Sequence, residues 1–133
     1  MRVFVDTSGY FSLLDSDEKN HETARQIWER LLKNDDILIT SNYVLIETVA
    51  LVQNRLGMAA VTDFYDNFIP LTEITWVDQQ MHQAGVAALL TANRRKLSLV
   101  DCISFETCRQ LGIRDVFTFD QHFQEQGFVM LSP

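Results

Sequence analysis

The sequence predicts an α/β protein built on a mostly parallel central sheet. Short apolar runs, too brief for helices, alternate along the chain with longer segments that repeat apolar residues at the helical period. The first run, Val3-Phe4-Val5, lacks polar alternation, as expected of a strand buried on both faces. A late run, Val116-Phe117-Thr118-Phe119, is built alike, and both stop abruptly on an aspartate, Asp6 and Asp120. At 133 residues, with 47% hydrophobic and 22% charged residues, the chain is sized for one compact domain, 1–133.

In chain order, a strand over 3–5 leads into a short helix over 9–14 and a turn at Asp15-Ser16-Asp17. That Asp-x-Asp is not a calcium loop, because Lys19 holds the next alternate position and neither the turn glycine nor the distal glutamate follows. Asn20 can cap a helix whose apolar face is Ala24, Ile27, Trp28, Leu31 and Leu32. Ile37-Leu38-Ile39-Thr40 reads as a second buried strand, and Ser41 or Asn42 starts a helix over 43–52 that is apolar nearly all round. Gly57 fits the residue just past its end. The periodicity then predicts a continuous helix over 58–69, with Val61, Phe64, Tyr65 and Phe68 inward, stopped by Pro70.

A third strand is expected over 71–77, followed by a helix capped by Asp78 and running to about Ala92, with Gly85 allowing close packing. Asn93-Arg94-Arg95-Lys96 is the one basic cluster, read either as a solvated loop or as a contact for a phosphate backbone. Ser98 and Asp101 form a capping box with aspartate in place of glutamate, opening a helix that Gly112 ends. The fourth strand runs to Phe119, a short helix ends at Gly127, and Phe128 to Leu131 makes a fifth strand.

Eighteen acids against eleven bases give a formal charge of −7, which argues against holding polyanions through a broad basic surface. No apolar run is long enough to span a membrane and no signal sequence opens the chain. Cys102 and Cys108, about 240° apart on a helix, match no zinc spacing and read as buried thiols in a reducing cytosol.

Four acids stand out. Asp6 and Asp120 terminate buried strands, where open α/β sheets bind ligands, although Asp6 could simply cap the next helix. Asp101 lies in a first helical turn, where capping alone would explain it. Glu47 has only Tyr43, Val44, Ala50 and Leu51 as helical neighbours, so unless it lines a wet edge it must be protonated, paired or coordinated. Four such acids at one end of a sheet repel one another, and a hard dication, Mg²⁺ or Mn²⁺, offsets that repulsion.

The chain resembles the PIN-domain family, and within it the toxin ribonucleases of VapC-type toxin–antitoxin pairs. The residues that carry the resemblance are Val5-Asp6-Thr7-Ser8, Glu47, Leu97-Ser98-Leu99-Val100-Asp101-Cys102 and Phe117-Thr118-Phe119-Asp120-Gln121-His122-Phe123, in an order and spacing that span the chain. The resemblance implies an α/β/α sandwich around five parallel strands, the first central and the fourth beside it. It also implies a Mg²⁺- or Mn²⁺-dependent endoribonuclease leaving 5′-phosphate and 3′-hydroxyl ends. Asp6 and Asp101 would be the primary metal ligands, Glu47 would hold metal or its water, and Asp120 would bind a second ion or orient water. Thr7, Ser8 and Ser104 would hydrogen-bond these groups or simply satisfy helix starts.

The same resemblance implies a cytoplasmic protein, an RNA substrate, a small antitoxin laid across the acidic groove, and no membrane. A homodimer is expected from apolar surface on the helices over 43–52 and 58–69. A housekeeping RNA-processing nuclease is the alternative role. A metal-dependent phosphate-handling domain is less well matched: the Asp-x-Asp of an aspartyl-phosphate phosphatase would need an acid where Ser8 stands. His21, His82 and His122 are expected at the surface or core edge, with His122 nearest the acids.

Overall fold

Val3, Phe4 and Val5 are wholly buried because strand β1 (Arg2–Val5) occupies the middle of the sheet. A computed structural model describing residues 1–133 shows five parallel strands in the order β3-β2-β1-β4-β5. The others are β2 (Ile37–Ser41), β3 (Thr72–Thr75), β4 (Asp115–Phe117) and β5 (Val129–Met130). The sheet is therefore parallel throughout, and β3 to β5 are each shorter than the apolar runs that predict them.

Helices α1 (Thr7–Leu14), α2 (His21–Lys33), α3 (Asn42–Arg55) and α4 (Met58–Asp63) connect β1 to β2 to β3. Helices α5 (Gln79–Ala92) and α6 (Leu99–Leu111) return the chain to β4, and α7 (Gln121–Glu125) leads to β5. Right-handed crossovers put the first set on one sheet face and the second on the other. Two aromatic clusters follow that division. Tyr10, Trp28, Phe64 and Phe68 pack together, and Phe105, Phe123 and Phe128 form the second group.

Local signals set most boundaries. Ser41 accepts from the Val44 amide, Asp78 from the Met81 amide, and Ser98 and Asp101 complete a reciprocal capping box. Asn20 precedes α2 without a side-chain cap, contrary to expectation. Gly112 closes α6 in the left-handed region at φ +70°, where a side chain would be strained. Gly85 lets α5 lie on α6, since a Cβ there would run into Ile103 Cδ1. Cys102 and Cys108 are buried and free, and burial pushes the Cys108 thiol up to about 12.

Two further expectations fail. The helix over 58–69 is not continuous: after α4 the backbone widens into a π turn over Phe64–Phe68, then tightens over Ile69–Leu71 around Pro70. Proline lacks an N–H and crowds the preceding turn, so the helix cannot run through it. The wider turn buries Phe64 and turns Tyr65 outward rather than inward. Helix α3 is not enclosed all round either; Val44, Leu45, Thr48 and Val52 are buried, but Ile46 is 67% exposed. No helix is long and apolar enough to cross a membrane.

Candidate active site

The chain leaves β1 and β4 toward opposite faces, so their paired carboxyl ends open a crevice. Val5 pairs with Phe117, and the Asp6 amide continues the ladder to the Phe117 carbonyl at 3.1 Å. This register sets Asp6 against Thr118, Phe119 and Asp120.

Asp6 occupies the cap position of α1, yet its carboxylate makes no capping bond. Instead Oδ2 accepts from Ser8 Oγ and Thr118 Oγ1, both at 3.0 Å, leaving Oδ1 for other partners. The two hydroxyls also brace the β4 exit. Ser8 Oγ accepts from the Phe119 amide at 2.9 Å and Thr118 Oγ1 from the Asp120 amide at 3.0 Å. Burial, then the negative charge of Asp101, raise the Asp6 carboxyl to about 7; the two hydroxyls offset part of the rise.

Glu47 reaches the crevice from α3. Burial pushes its carboxyl up, as do Asp101 and Asp120, while the Thr7 hydroxyl pulls it down. Thr7 accepts from Thr48 at 3.1 Å, which leaves its own proton for Glu47. Asp101 is raised chiefly by burial, against the opposing Ser98 amide that donates to its Oδ2 at 3.2 Å. Capping and site placement are therefore both true of Asp101. Asp120 Oδ1 accepts from the His122 amide at 2.9 Å at the start of α7.

None of these four acids pairs with a lysine or arginine; the ion pairs of Arg25, Arg94 and Arg109 lie on Glu22, Glu29, Glu125 and Glu106. The one cationic candidate inside the cluster is His122, whose Nδ1 lies 3.1 Å from Asp120 Oδ1 and 3.5 Å from Asp101 Oδ2. Donor atoms of Asp101, Asp120 and His122 all fall within 4.8 Å of one another.

The structure thus draws together Asp6, Glu47, Asp101, Asp120, Thr7 and Ser8. Ser104 lies one helical turn beyond Asp101, wholly buried, and its Oγ bonds to none of the carboxylates. A buried hydroxyl without a partner costs about 1–3 kcal/mol, so this atom fits a site completed by a further polar group. Arg94 is held to Glu125 on α7 at 2.9 Å, whereas Arg95 and Lys96 stay exposed. The sequence alone gives Thr118 only as a strand residue, and His122 only as the histidine nearest the acids, without a role. The signal for His122 was its place two residues past a strand-ending acid.

Unpaired acids, an imidazole nitrogen and an orphaned hydroxyl form a donor set that fits a divalent cation. Thr118→Val removes a donor to Asp6 and the acceptor of the Asp120 amide. A loss of roughly 10–100-fold in divalent-cation affinity is expected, with Thr118→Ser restoring most of it; unchanged affinity in the valine variant would show that this brace is idle.

The fold and this crevice define a PIN domain: the PIN-domain family model matches residues 3–129, and the chain belongs to that family. Among proteins of known role, it is similar to the 23S rRNA-specific endonuclease VapC20 of Mycobacterium tuberculosis, at 31% identity over 98% of each chain. The crystal structure of that protein, described as a sarcin-ricin loop cleaving toxin, superposes with TM-score 0.89 at 29% identity, covering 98% of this chain and 99% of the other. A VapC ribonuclease of Aquifex aeolicus is 22% identical over 97% of this chain and 95% of its own. VapBC2 of Rickettsia felis, solved on a promoter DNA fragment, shares the fold with TM-score 0.72 at 14% identity over 98% of each chain.

Proposed function

We propose that this PIN-domain nuclease is the toxin of a VapC-type toxin–antitoxin pair, a Mg²⁺- or Mn²⁺-dependent endoribonuclease acting in the cytoplasm. The observation that carries the reading is the convergence of Asp6, Glu47, Asp101 and Asp120 at the β1/β4 crevice with no lysine or arginine to neutralise them. The likeness to VapC20 supports the toxin role and makes ribosomal RNA the first substrate to try.

The residues divide the work. Asp6, locked through Oδ2, would offer Oδ1 to the ion, and Asp101, fixed by its capping box, would hold it from the other side. A dication bound there supplies charge neutralisation at the phosphoryl oxygens and a lowered pKa for the attacking water. Glu47, half-buried with its carboxyl pushed up, would hold the metal or take the proton of its water, and Asp120 would bind a second ion or orient that water. Ser104 Oγ would meet a metal-bound water ligand. Arg95 and Lys96 would receive the RNA backbone outside the crevice.

An antitoxin segment would lie in the apolar groove of Tyr43, Ile46, Ala50 and Val100 that borders Glu47. Met58 and Tyr65, both exposed farther along, support a homodimer, which size-exclusion chromatography with light scattering reads directly.

The test is expression without a partner, followed by mapping of cleaved ends in total RNA. Growth arrest with metal-dependent cuts bearing 5′-phosphates is expected. Cleavage without arrest would move the protein to the housekeeping role, and no cleavage with Mg²⁺ or Mn²⁺ would overturn the nuclease reading. Glu47→Gln should shrink the rise in Tm that Mg²⁺ produces in the wild-type protein; an unchanged rise would place Glu47 outside the site.

A further inference from the structure

We propose that the His122 imidazole is itself a ligand of this centre, so that Asp101, Asp120 and His122 form a mixed nitrogen–oxygen subsite favouring Mn²⁺ and other transition dications over Mg²⁺. The inference rests on the nuclease reading above and adds to it the identity of the ion.

The position of Nδ1 is the first reason. It is buried, and although it lies 3.1 Å from Asp120 Oδ1 and 3.5 Å from Asp101 Oδ2, it has hydrogen-bond geometry to neither. Both oxygens already accept other donors, Asp120 Oδ1 from the His122 amide and Asp101 Oδ2 from the Ser98 amide. An N–H on Nδ1 would be expected to aim at one of them. A nitrogen lone pair turned toward two carboxylates is repulsive unless a cation stands among the three.

Spacing is the second reason. Two neighbouring donors on an octahedral ion, each about 2.1 Å from it, stand about 3.0 Å apart. The Nδ1 separations of 3.1 and 3.5 Å match that spacing, whereas a lone ion pair would need only one of them. The third reason is independent of His122: Ser104 Oγ, wholly buried and without a partner, lies one turn along α6 from Asp101. Two unsatisfied buried polar atoms thus belong to residues next to Asp101, one a turn along α6 and one on α7.

An imidazole nitrogen in place of one oxygen changes which ion the site prefers. Mg²⁺ takes oxygen ligands almost throughout, whereas first-row transition dications accept nitrogen. The backbone makes the arrangement possible, because Asp120 stands outside α7 as its cap and so can share a side with a residue two positions on.

The experiment uses the full chain freed of metal by chelator, with Mn²⁺ as the probe. Electron spin-echo measurements on the Mn²⁺-loaded wild type should show ¹⁴N modulation from a directly bound imidazole. The modulation should persist in His21→Ala and His82→Ala and vanish in His122→Ala. Titration followed by the free-Mn²⁺ signal should show affinity falling about 10–100-fold in His122→Ala, while Mg²⁺ affinity, read by competition, changes less than about threefold. Mn²⁺ bound without ¹⁴N modulation, or equal losses for both ions, would overturn the proposal and leave the nuclease reading standing. Should His122→Ala not fold, the wild-type modulation decides alone. Failure of the nuclease reading looks different: no Mn²⁺ binding at all, with Asp6→Asn and Asp101→Asn no less active than wild type.

Discussion

Asp6→Asn should lower metal-dependent RNA cleavage by on the order of 10³-fold or more while making the metal-free protein more stable. Asparagine keeps the shape of the side chain and can still accept from Ser8 and Thr118, so the local fold survives. What it loses is a charge that the fold tolerates poorly: Asp6 is 4% exposed, and burial together with Asp101 holds its carboxyl at about 7.

The direction of the pH effect follows from linkage. In the unfolded chain Asp6 titrates near 3.8; in the metal-free folded protein it titrates near 7. Below about pH 4 both states are protonated and the residue costs nothing. Between about 4 and 7 the folded state holds a proton that the unfolded state has released, so stability falls as pH rises, and above 7 the full penalty is present. That penalty is on the order of a few kcal/mol. Thermal unfolding in chelator at pH 5 and pH 8 should show a larger loss for wild type than for Asp6→Asn, and Mg²⁺ or Mn²⁺ should restore only the wild type. Equal pH slopes, or retained cleavage, would remove Asp6 from the centre.

Gly9→Ala should destabilise the protein by about 2–3 kcal/mol and damage activity beyond the loss of folded protein. Gly9 is inside α1, where alanine ordinarily favours the helix by about 1 kcal/mol. Here a Cβ would stand 2.7 Å from the Phe117 carbonyl oxygen and 3.2 Å from its ring. Backbone cannot rotate aside as a side chain can. That same oxygen accepts from the Asp6 amide, so pushing α1 off β4 also disturbs Asp6, Ser8 and Thr118. A fall in Tm of roughly 10 °C is expected. Gly85→Ala serves as the comparison: its Cβ would run into the buried Ile103 side chain away from the crevice, so it should also lower stability but leave cleavage per folded molecule unchanged. A Gly9→Ala protein as stable as wild type would mean that this contact is not tight.

Helix starts at Ser41, Asp78 and Ser98, and the buried strand at Val3 to Val5, were legible because each depends on residues within about four positions of one another. The aspartates that close two neighbouring apolar runs made the crevice legible as well, since a parallel sheet sends both to the same edge, although β4 itself stops at Phe117 and Asp120 lies three residues beyond it as the cap of α7. Other features depend on distant partners. Thr118 is 112 residues from the Asp6 carboxylate it donates to, and nothing near Thr118 announces that contact. Tyr65 fits the inward face of a regular helix and turns out only because the backbone widens before Pro70. Ile46 continues an apolar helix, yet no element packs over it.

By itself, then, the order of residues determined which segments are strands and helices, the parallel sheet, and the acids at its carboxyl edge, because periodicity and capping act over a turn or two. Only tertiary structure decided that Ser8 and Thr118 clamp one oxygen of Asp6, that His122 turns its nitrogen between Asp101 and Asp120, and that α3 leaves a groove beside Glu47. Those arrangements arise where separate elements meet, and the forces that set them act through space rather than along the chain.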